Sequence, residues 1–306
     1  MSELSAKVRG LRRAITDEVI KALGMSPSGW TRAALGPLLF APAQRFSLIA
    51  AEFDRRVAEV GLVEAARWAL GQFRTRVEVS FQGPVPEQGP LLITANHPGT
   101  VDGLAIAASV GRQDLKIVAS GLPFIRGLPR TARHLIYATV DPHDRMGTVR
   151  AMIRHLRQGG AVLIFPSGKV DPDPAVLPGA EEALRTWSPS TGLVLRTLPE
   201  TRVLMGVVSG VLSGANLRNP IARLRKELRE RQLVAEMLQV IRQMLFEGSE
   251  MLTARLTLSA PIAGEQLAKP GQGARELTQA LIQKAQGLLR EHLAAVGGPP
   301  QRAGIG

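Results

Sequence analysis

The sequence predicts an α/β protein in which a mixed, mostly parallel sheet is covered by helices on both faces, with an N-terminal helical unit. From residue 76 onward, short apolar runs of strand length alternate with stretches of helical spacing, as expected for such a sheet. Residues 1–75 show helical patterns instead. At 306 residues and 45% hydrophobic composition, the chain is long enough for one sizeable α/β domain and a smaller appendage.

The N-terminal unit begins with an amphipathic helix predicted over 3–23, whose apolar residues lie three and four positions apart. Two or three further helices follow, separated by a proline and a glycine, over roughly 31–40, 43–59 and 62–74. The unit is expected to pack on the main domain, or alternatively to lie on a membrane. In the second case the side chains facing lipid would be Trp30, Leu35, Leu38, Leu39 and Phe40.

The α/β domain is predicted to occupy residues 76–295. Its strands are the short apolar runs over 77–81, 91–95, 115–119, 134–140, 161–165, 203–209 and 254–258. Its helices are expected over about 101–111, 145–158, 178–187, 217–246, 263–269 and 273–295. The remaining residues, 296–306, are rich in Gly and Pro and are expected to form a disordered tail.

The charge balance indicates an anionic partner. A net charge of +12 suits nucleic acid, anionic lipid headgroups or a phosphorylated substrate. Aromatic residues make up only 4% of the chain, which gives single-stranded nucleic acid few stacking platforms, so lipid and phosphate ligands are favoured. The absence of cysteine excludes disulfides, thiolate metal sites and a Cys nucleophile, and it fits a reducing compartment.

The sequence pattern predicts neither a signal peptide nor a membrane span. The first 24 residues alternate charged and apolar side chains throughout. The longest near-apolar stretch, 33–43, contains two prolines and is far shorter than the ~20 residues that cross a bilayer. A protein that is soluble or bound to a membrane surface is therefore expected.

A histidine and an aspartate follow the strand predicted over 91–95, at the strand end where ligands collect in open α/β sheets. A Pro-Gly turn separates His97 from Asp102, so the two can reach hydrogen-bonding distance. The aspartate would fix one ring nitrogen and leave the other free as a general base toward a hydroxyl. Backbone N–H groups of Gly99 and Thr100, where the next helix opens, are expected near a developing oxyanion.

The plainer interpretation of this stretch is structural. Thr100 would cap the helix, Asp102 would complement its dipole, and His97 would be a polar loop residue. A second predicted strand end, within 159–174, has a similar set of residues: a Pro-Ser-Gly turn followed by Lys169. A lysine next to exposed backbone amides is a candidate anion-binding site. Both strand ends would line one crevice if their strands belong to the same sheet.

These motifs resemble those of the glycerolphosphate and lysophosphatidic acid acyltransferase family. Asn96, His97 and Asp102 match its Asn-His-x4-Asp signature by residue type and spacing. The stretch 121–140 is similar to its second block, a Phe-containing loop before a strand, and 165–168 (Phe-Pro-Ser-Gly) to its Phe-Pro-Glu-Gly block. The resemblance implies an O-acyltransferase of phospholipid biosynthesis, acting from the cytoplasm on the inner face of an anionic membrane.

In that family reaction, His97 would deprotonate the acceptor hydroxyl and Asp102 would orient His97. The hydroxyl oxygen would attack the thioester of acyl-CoA or acyl carrier protein. No metal, no cofactor beyond this donor and no nucleic acid are implied. The phosphate of a lysophosphatidic acid-like acceptor is expected to lie near basic and turn residues of the crevice, namely Lys169, Ser167, Gly168, Arg126, Arg130 and Arg145.

The chain departs from the family pattern at positions that bear on acceptor binding. Ser167 replaces the third-block Glu, Lys169 and Val170 replace a Thr-Arg pair, and the position of the second-block arginine falls near Val140. A different lysophospholipid, a glycolipid or an amino-lipid therefore stays open as the acceptor. A catalytically altered relative that only binds lipid is the non-enzymatic alternative.

Two further classes of protein explain the sequence less well. A serine hydrolase would need a Gly-x-Ser-x-Gly elbow after a strand, which the sequence lacks. A nucleic-acid binder accounts for the net charge and for nothing else.

The arginine-rich stretch 217–245 is interpreted as a solvated helix with ion pairs to Glu227, Glu230 and Glu236, or alternatively as a docking surface for a membrane or carrier protein.

Overall fold

The structure is a computed structural model and describes residues 3–138, 145–246, 248–267 and 272–297. The helices are α1 Glu3–Ala22, α2 Gly29–Gln72, α3 Asp102–Val110, α4 Pro123–Arg126, α5 Arg145–Arg157, α6 Ala180–Leu184, α7 Ser190–Thr197, α8 Gly214–Leu217, α9 Pro220–Arg223, α10 Leu228–Leu245, α11 Gly264–Leu267 and α12 Ala274–Val296. The strands are β1 Thr75–Phe81, β2 Leu91–Ala95, β3 Lys116–Ser120, β4 Leu135–Ala138, β5 Ala161–Ile164, β6 Arg202–Ser209, β7 Leu252–Leu258 and β8 Ile262–Ala263. A 3₁₀ turn, Thr131–His134, precedes β4.

All of these strands join one sheet, in the order β1-β7-β6-β2-β5-β3-β4, with β8 paired to β6. From β6 to β4 the pairs are parallel, whereas β7 and β8 run antiparallel to β6. The sheet is therefore mixed and mostly parallel, and the predicted fold class is confirmed. Strand β2 lies in the middle, between β5 and β6, so its carboxyl end opens at the centre of one sheet edge.

Helices cover both faces of this sheet. Alternate side chains of β2 serve the two cores: Leu91 and Ile93 pack with α2 and α3, while Leu92 packs with α5, α7 and α12. This alternation follows from the pleat of the strand. Every residue of β2 is buried, which explains why its sequence is a continuous apolar run without the alternation seen in half-exposed strands.

The N-terminal helices differ in one respect from the expectation. Pro37 and Pro42 lie inside α2 and do not end it, whereas Gly61 breaks the helical geometry with φ 85°. A proline removes a single backbone donor, and here the helix is held against α1 by buried side chains and by the ion pairs Lys7–Asp54 and Arg32–Asp17, both 2.7 Å. The second half of α2 shares a core with the sheet, so the division at residue 75 stays a prediction.

Within the described residues, α2 is the one helix long and apolar enough to cross a membrane, judged by length and composition. The near-apolar stretch over 33–43 is shorter because the sequence predicts a helix break at Pro42, through which α2 continues. Trp30, Leu38 and Phe40 are exposed, with 71%, 74% and 51% of their surface accessible. Leu35 and Leu39 are half-buried instead, so only part of the predicted lipid-facing set is presented to the outside.

The predicted helix over 217–246 is divided. Asn219 caps α9 by accepting from the N–H of Ile221 at 2.9 Å, Pro220 follows it, and α10 begins only at Leu228. Helix α7 was not predicted, because its Ser-Thr-Gly start is typical of a loop. The predicted strand end at 139–140, helix end at 268–269 and tail at 298–306 lie outside the described residues.

Candidate active site

The predicted histidine–aspartate pair lies at the carboxyl end of β2. His97 Nδ1 is 2.8 Å from Asp102 Oδ2. The same carboxylate is fixed by the backbone, because the N–H of Gly99 donates to Oδ2 at 3.0 Å and the N–H of Gly103 donates to Oδ1 at 2.6 Å. The aspartate therefore holds the imidazole in one orientation. Asp102 is the first residue of α3. The N-cap residue of this helix is Val101, and no side-chain cap hydrogen bond is formed, so the cap expected from Thr100 is absent.

Asn96 fixes the residue before the histidine. Its side-chain amide donates to the carbonyl of Val208 and accepts from the N–H of Val208, both at 2.8 Å. The side chain thus continues the β2–β6 ladder where the strand's own backbone turns away. This pairing determines where the chain leaves the sheet and therefore where His97 lies.

The imidazole of His97 is confined but reachable. It stacks on the ring of Phe165, with 4.4 Å between centroids and 18° between planes. About a third of its side chain, 31%, stays exposed. Among the residues described, none hydrogen-bonds Nε2 of this ring. One ring nitrogen is therefore fixed by Asp102 and the other is available to a bound hydroxyl.

The loop after β5 is joined to the histidine through Asp171. The N–H of His97 donates to Asp171 Oδ2 at 3.0 Å, and the N–H of Asp171 donates to the carbonyl of His97 at 2.7 Å. Ser167 Oγ donates to the same Oδ2 at 3.1 Å. The two predicted strand ends therefore do meet in one site. Asp171 is not among the site residues that the sequence predicts; the signal that could have indicated it is an acid between Val170 and Pro172, directly after a turn.

Helix α10 contributes the second group of residues that the sequence did not reveal. Gln232 Nε2 donates to the carbonyls of Pro98 and Asp171, both at 2.8 Å. Glu236 accepts from the N–H and from the hydroxyl of Thr100. The ion-pair interpretation of Glu236 is therefore wrong: the side chain is 8% exposed and points into the site. The spacing of four residues between two polar side chains on an apolar face was the signal.

The expectation for the oxyanion donors is also wrong in this structure. The N–H of Gly99 is directed at Asp102 and that of Thr100 at Glu236. Each amide hydrogen already satisfies a carboxylate, so neither is free for a developing oxyanion. The sequence could not show this, because the second carboxylate comes from a helix 136 residues away.

Carboxylates dominate the electrostatics around His97. Burial lowers the pKa of His97. The negative charges of Asp102, Glu236 and Asp171 raise the pKa by a larger amount, so that it lies at about 9. Burial raises the pKa of Glu236 to about 7, against the hydrogen bonds from Thr100. Burial likewise raises the pKa of Asp171. The protonation of His97 is therefore linked to that of the carboxyl groups around it.

Comparison with known proteins identifies the part of the chain that builds this site. Residues 76–194 match the family model described as Acyltransferase. These residues belong to the acyltransferase family. The match spans both strand ends, with the His97–Asp102 pair and the turn at 165–168, so the predicted family is confirmed for this acyltransferase segment.

Curated proteins and a solved structure are also similar to this chain. Uncharacterized proteins of Mycobacterium bovis and Mycobacterium tuberculosis are 33% identical over 104 residues, which is 30% of this chain and 26% of theirs. The chain thus spans about a quarter of the length of these curated relatives. The crystal structure of the 1-acyl-sn-glycerophosphate (LPA) acyltransferase PlsC from Thermotoga maritima is similar over 92% of this chain and 97% of that one, with 13% identity and a TM-score of 0.43.

The basic residues predicted to hold an anion fall into two groups. Lys169 is exposed on the turn after β5 that also carries Ser167 and Gly168. Gly168 has a φ of 65°, a backbone conformation that favours glycine. The described residues place no ion-pair partner on the Lys169 ammonium. This turn adjoins Asp171 and hence His97, so Lys169 lies at the rim of the site.

Two of the predicted arginines, Arg126 and Arg130, already contact other groups of the protein. Arg126 Nε donates to the carbonyl of Gly121 at 3.0 Å, and its guanidinium lies 5.1 Å from the centroid of the Tyr137 ring. Arg130 is 3.7 Å from the buried carboxylate of Asp54. Arg145 begins α5, and its side chain is outside what the structure describes. An anion role for these arginines stays a prediction.

An apolar cavity of about 210 Å³ lies between the N-terminal helices and α10 and reaches the turn between His97 and Asp102 at Thr100. Thr100 forms part of its wall, together with Phe46 and Phe124, whose rings meet edge to face at 6.1 Å. Phe124 comes from the second family block, so that block borders the cavity. The part of the chain that the structure describes shows no group of three or more His, Asp or Glu side chains suited to a metal ion; the expectation of a metal-free reaction stays a prediction.

Proposed function

We propose that this protein is an O-acyltransferase that moves a fatty acyl group from acyl-CoA or acyl carrier protein to the hydroxyl of a lysophosphatidic acid-like acceptor. The observation that carries the proposal is the 2.8 Å contact between His97 Nδ1 and Asp102 Oδ2 at the carboxyl end of the central strand. Membership of residues 76–194 in the acyltransferase family supports the reaction class. Donor and acceptor are the finer parts of the proposal.

The residues support a reaction in two proton transfers. His97 Nε2 takes the proton of the acceptor hydroxyl as its oxygen attacks the thioester carbonyl carbon. The C–O bond forms, the C–S bond breaks, and the protonated imidazole returns its proton to the departing sulfur. Asp102 keeps the ring oriented and stabilises its protonated form. A positioned base of this kind contributes roughly 10²–10⁴-fold to the rate.

The surroundings of His97 support a lipid substrate. The cavity of about 210 Å³ has an apolar wall that begins at Thr100, three residues after the base. It is smaller than the ~300–1,000 Å³ of typical small-molecule sites, so it suits part of an acyl chain while the polar end stays outside. Lys169, exposed on the turn that contacts Asp171, is the proposed partner of an acceptor phosphate.

A membrane surface is the proposed location of this reaction. Trp30, Leu38 and Phe40 are exposed on the first turns of α2, and amphipathic helices with such side chains bind at the lipid interface. The net charge of +12 favours an anionic leaflet. We therefore propose that the enzyme is peripheral on the inner, cytoplasmic face of the membrane.

A lipid-binding relative without chemistry is the competing proposal, and the replacement of the third-block Glu by Ser167 is the observation in its favour. Thiol release from palmitoyl-CoA, measured across a panel of lysophosphatidic acid, other lysophospholipids, glycolipids and amino-lipids, separates the two. The acyltransferase proposal predicts release that depends on at least one of these acceptors. Release that no acceptor stimulates, together with tight lipid binding, would favour the competing proposal.

Replacing Lys169 by alanine is expected to raise the KM for a phosphate-bearing acceptor by roughly tenfold, with little change in kcat. A hydrogen bond between a lysine ammonium and a phosphate, both charged, is worth about 1.5–3 kcal/mol. A tenfold change in KM corresponds to about 1.4 kcal/mol. The measurement is acceptor-dependent thiol release over a range of acceptor concentrations. Lys284→Ala, an exposed lysine on α12, is the control. An unchanged KM for the Lys169 variant would place the phosphate elsewhere.

The rate of the wild-type protein is expected to rise with pH through the neutral range. The general base must be neutral, and its carboxylate neighbours raise the pKa of His97 to about 9. A smaller fraction of the protein is therefore active at pH 7 than an unshifted imidazole, with a pKa of about 6.5, would give. We expect kcat/KM to increase until the pH passes about 9. A profile that is already flat above pH 7, measured with background hydrolysis subtracted, would contradict this.

A further inference from the structure

One face of α10 is polar although it is buried. Gln232, Glu236 and Gln239 are 2%, 8% and 5% exposed, and their spacing of four and three residues puts them on the same side of the helix. Each of them contacts a different part of the site. Gln232 joins the carbonyls of Pro98 and Asp171, whereas Gln239 accepts from the N–H of Ser213 and donates to the carbonyl of Val211.

Glu236 lies between these two glutamines and holds the turn that connects the base to its orienting acid. It accepts both the N–H and the hydroxyl of Thr100. The contact is close: a Cβ added at Gly99 would lie 2.7 Å from Glu236 Oε1 and 3.1 Å from Val211 Cγ2. The small glycine therefore lets the turn approach the carboxyl group.

A charge at position 236 is not needed for these hydrogen bonds. A glutamine carbonyl would accept the same two bonds, as the neighbouring glutamines do for other loops, without the cost of burying an ionised group. The carboxyl group lies against the turn whose Gly99 N–H donates to Asp102, and its charge acts on the imidazole together with that of Asp171 from the loop after β5. The residue thus adds negative charge where the reaction generates a positive one.

We propose that Glu236 is a positioning residue for the His97–Asp102 pair: its buried carboxyl group holds the turn at Thr100 and places an additional negative charge beside the imidazole. This inference rests on the proposed function, in which His97 becomes protonated during attack on the thioester. A negative charge fixed in a poorly solvated site stabilises that protonated imidazole more than water does. Glu236 hydrogen-bonds Thr100, three residues after the base, and therefore acts through the turn and the histidine.

The test is a titration of the His97 ring by long-range ¹H–¹⁵N NMR in the full-length protein, with signals assigned from a His97→Gln variant. Glu236→Gln keeps an acceptor for Thr100 and removes the charge. We expect the pKa of His97 in this variant to fall by about one unit, the lower end of the effect of a nearby opposite charge. The acid limb of kcat/KM should move to lower pH by the same amount, and kcat on the plateau above about pH 9, where the base is neutral in both proteins, should fall about tenfold.

Glu230→Gln, the same substitution on the exposed side of α10, is the matched control and should leave the titration and the rate unchanged. Equal His97 titrations in wild type and Glu236→Gln would overturn the proposal, because a purely structural role predicts that result. If the wild type transfers no acyl group to any acceptor, the proposed function fails, while the NMR titration still decides the role of Glu236.

A second measurement covers the case in which Glu236→Gln does not fold. In the wild type, ¹³C labelling of the glutamate carboxyl groups should show one group that titrates near pH 7, where burial places the pKa of Glu236. The His97 ring signals should show the same step. Ring signals that do not respond to that carboxyl titration would overturn the proposal without any variant.

Discussion

His97→Ala is expected to abolish acceptor-dependent thiol release, with a loss of roughly 10²–10⁴-fold attributable to the missing base. The fold should persist, because the imidazole is partly exposed and the turn around it is fixed by backbone contacts to Asp171 and by the side chain of Gln232. The rate is compared with that of wild type after circular dichroism has shown equal thermal unfolding. Turnover equal to that of wild type would remove His97 as the base.

His155→Ala provides the matched control for this substitution. Its ring contacts the backbone carbonyl of Asp114 at 2.8 Å and takes no part in the His97 cluster. We expect its turnover to match that of wild type. A loss of activity as large as that of His97→Ala would show that the assay responds to any histidine change and not to the base.

Asp102→Asn is expected to produce the second large effect, a fall in kcat of about 10³–10⁴-fold, as when an orienting aspartate is lost from an imidazole base. Oδ2 accepts both from His97 Nδ1 and from the N–H of Gly99. An amide has a single accepting oxygen. At the Oδ1 position that oxygen accepts from the N–H of Gly103 and the NH₂ group faces His97 and Gly99; at the Oδ2 position the NH₂ group faces the N–H of Gly103 instead. Either the ring takes the wrong tautomer or the turn loses its anchor.

Kinetics separate these two outcomes for Asp102→Asn. A lost tautomer lowers kcat with little change in unfolding temperature, whereas a lost anchor also lowers the free energy of unfolding by ~1–3 kcal/mol. We expect the first outcome to dominate, because Asn can still accept from the N–H of Gly103 with its oxygen while its NH₂ group faces His97. A variant that retains wild-type kcat would show that Asp102 does not orient the base.

The pair itself was predictable because it is local. His97 and Asp102 are five residues apart across a Pro-Gly turn at the end of an apolar strand, and the structure joins them at 2.8 Å. The partners that complete the site are distant in sequence: Asp171 meets His97 from 74 residues away, and Gln232 meets Pro98 from 134 residues away. No local pattern specifies such contacts, since they depend on how helix α10 packs across the ends of the strands.

The same difference between local and distant information explains the fold. The strands predicted from short apolar runs have nearly the same bounds in the structure. Parallel strands are buried on both faces of the sheet, so their sequences are almost continuously apolar and can be recognised locally. Pro42 was expected to end a helix, but packing of α2 against α1 keeps the helix intact. Glu236 was interpreted as an exposed ion-pair partner because its helix is arginine-rich, and only the tertiary structure shows which face is buried.

The most direct test of the account is the product formed from palmitoyl-CoA and lysophosphatidic acid, analysed by mass spectrometry for wild type and for His97→Ala. If the imidazole activates the acceptor's alcohol, the wild type yields the lysolipid carrying one additional palmitoyl ester and the variant yields almost none. Free palmitate without ester in the wild type, or equal ester from both proteins, would contradict the account.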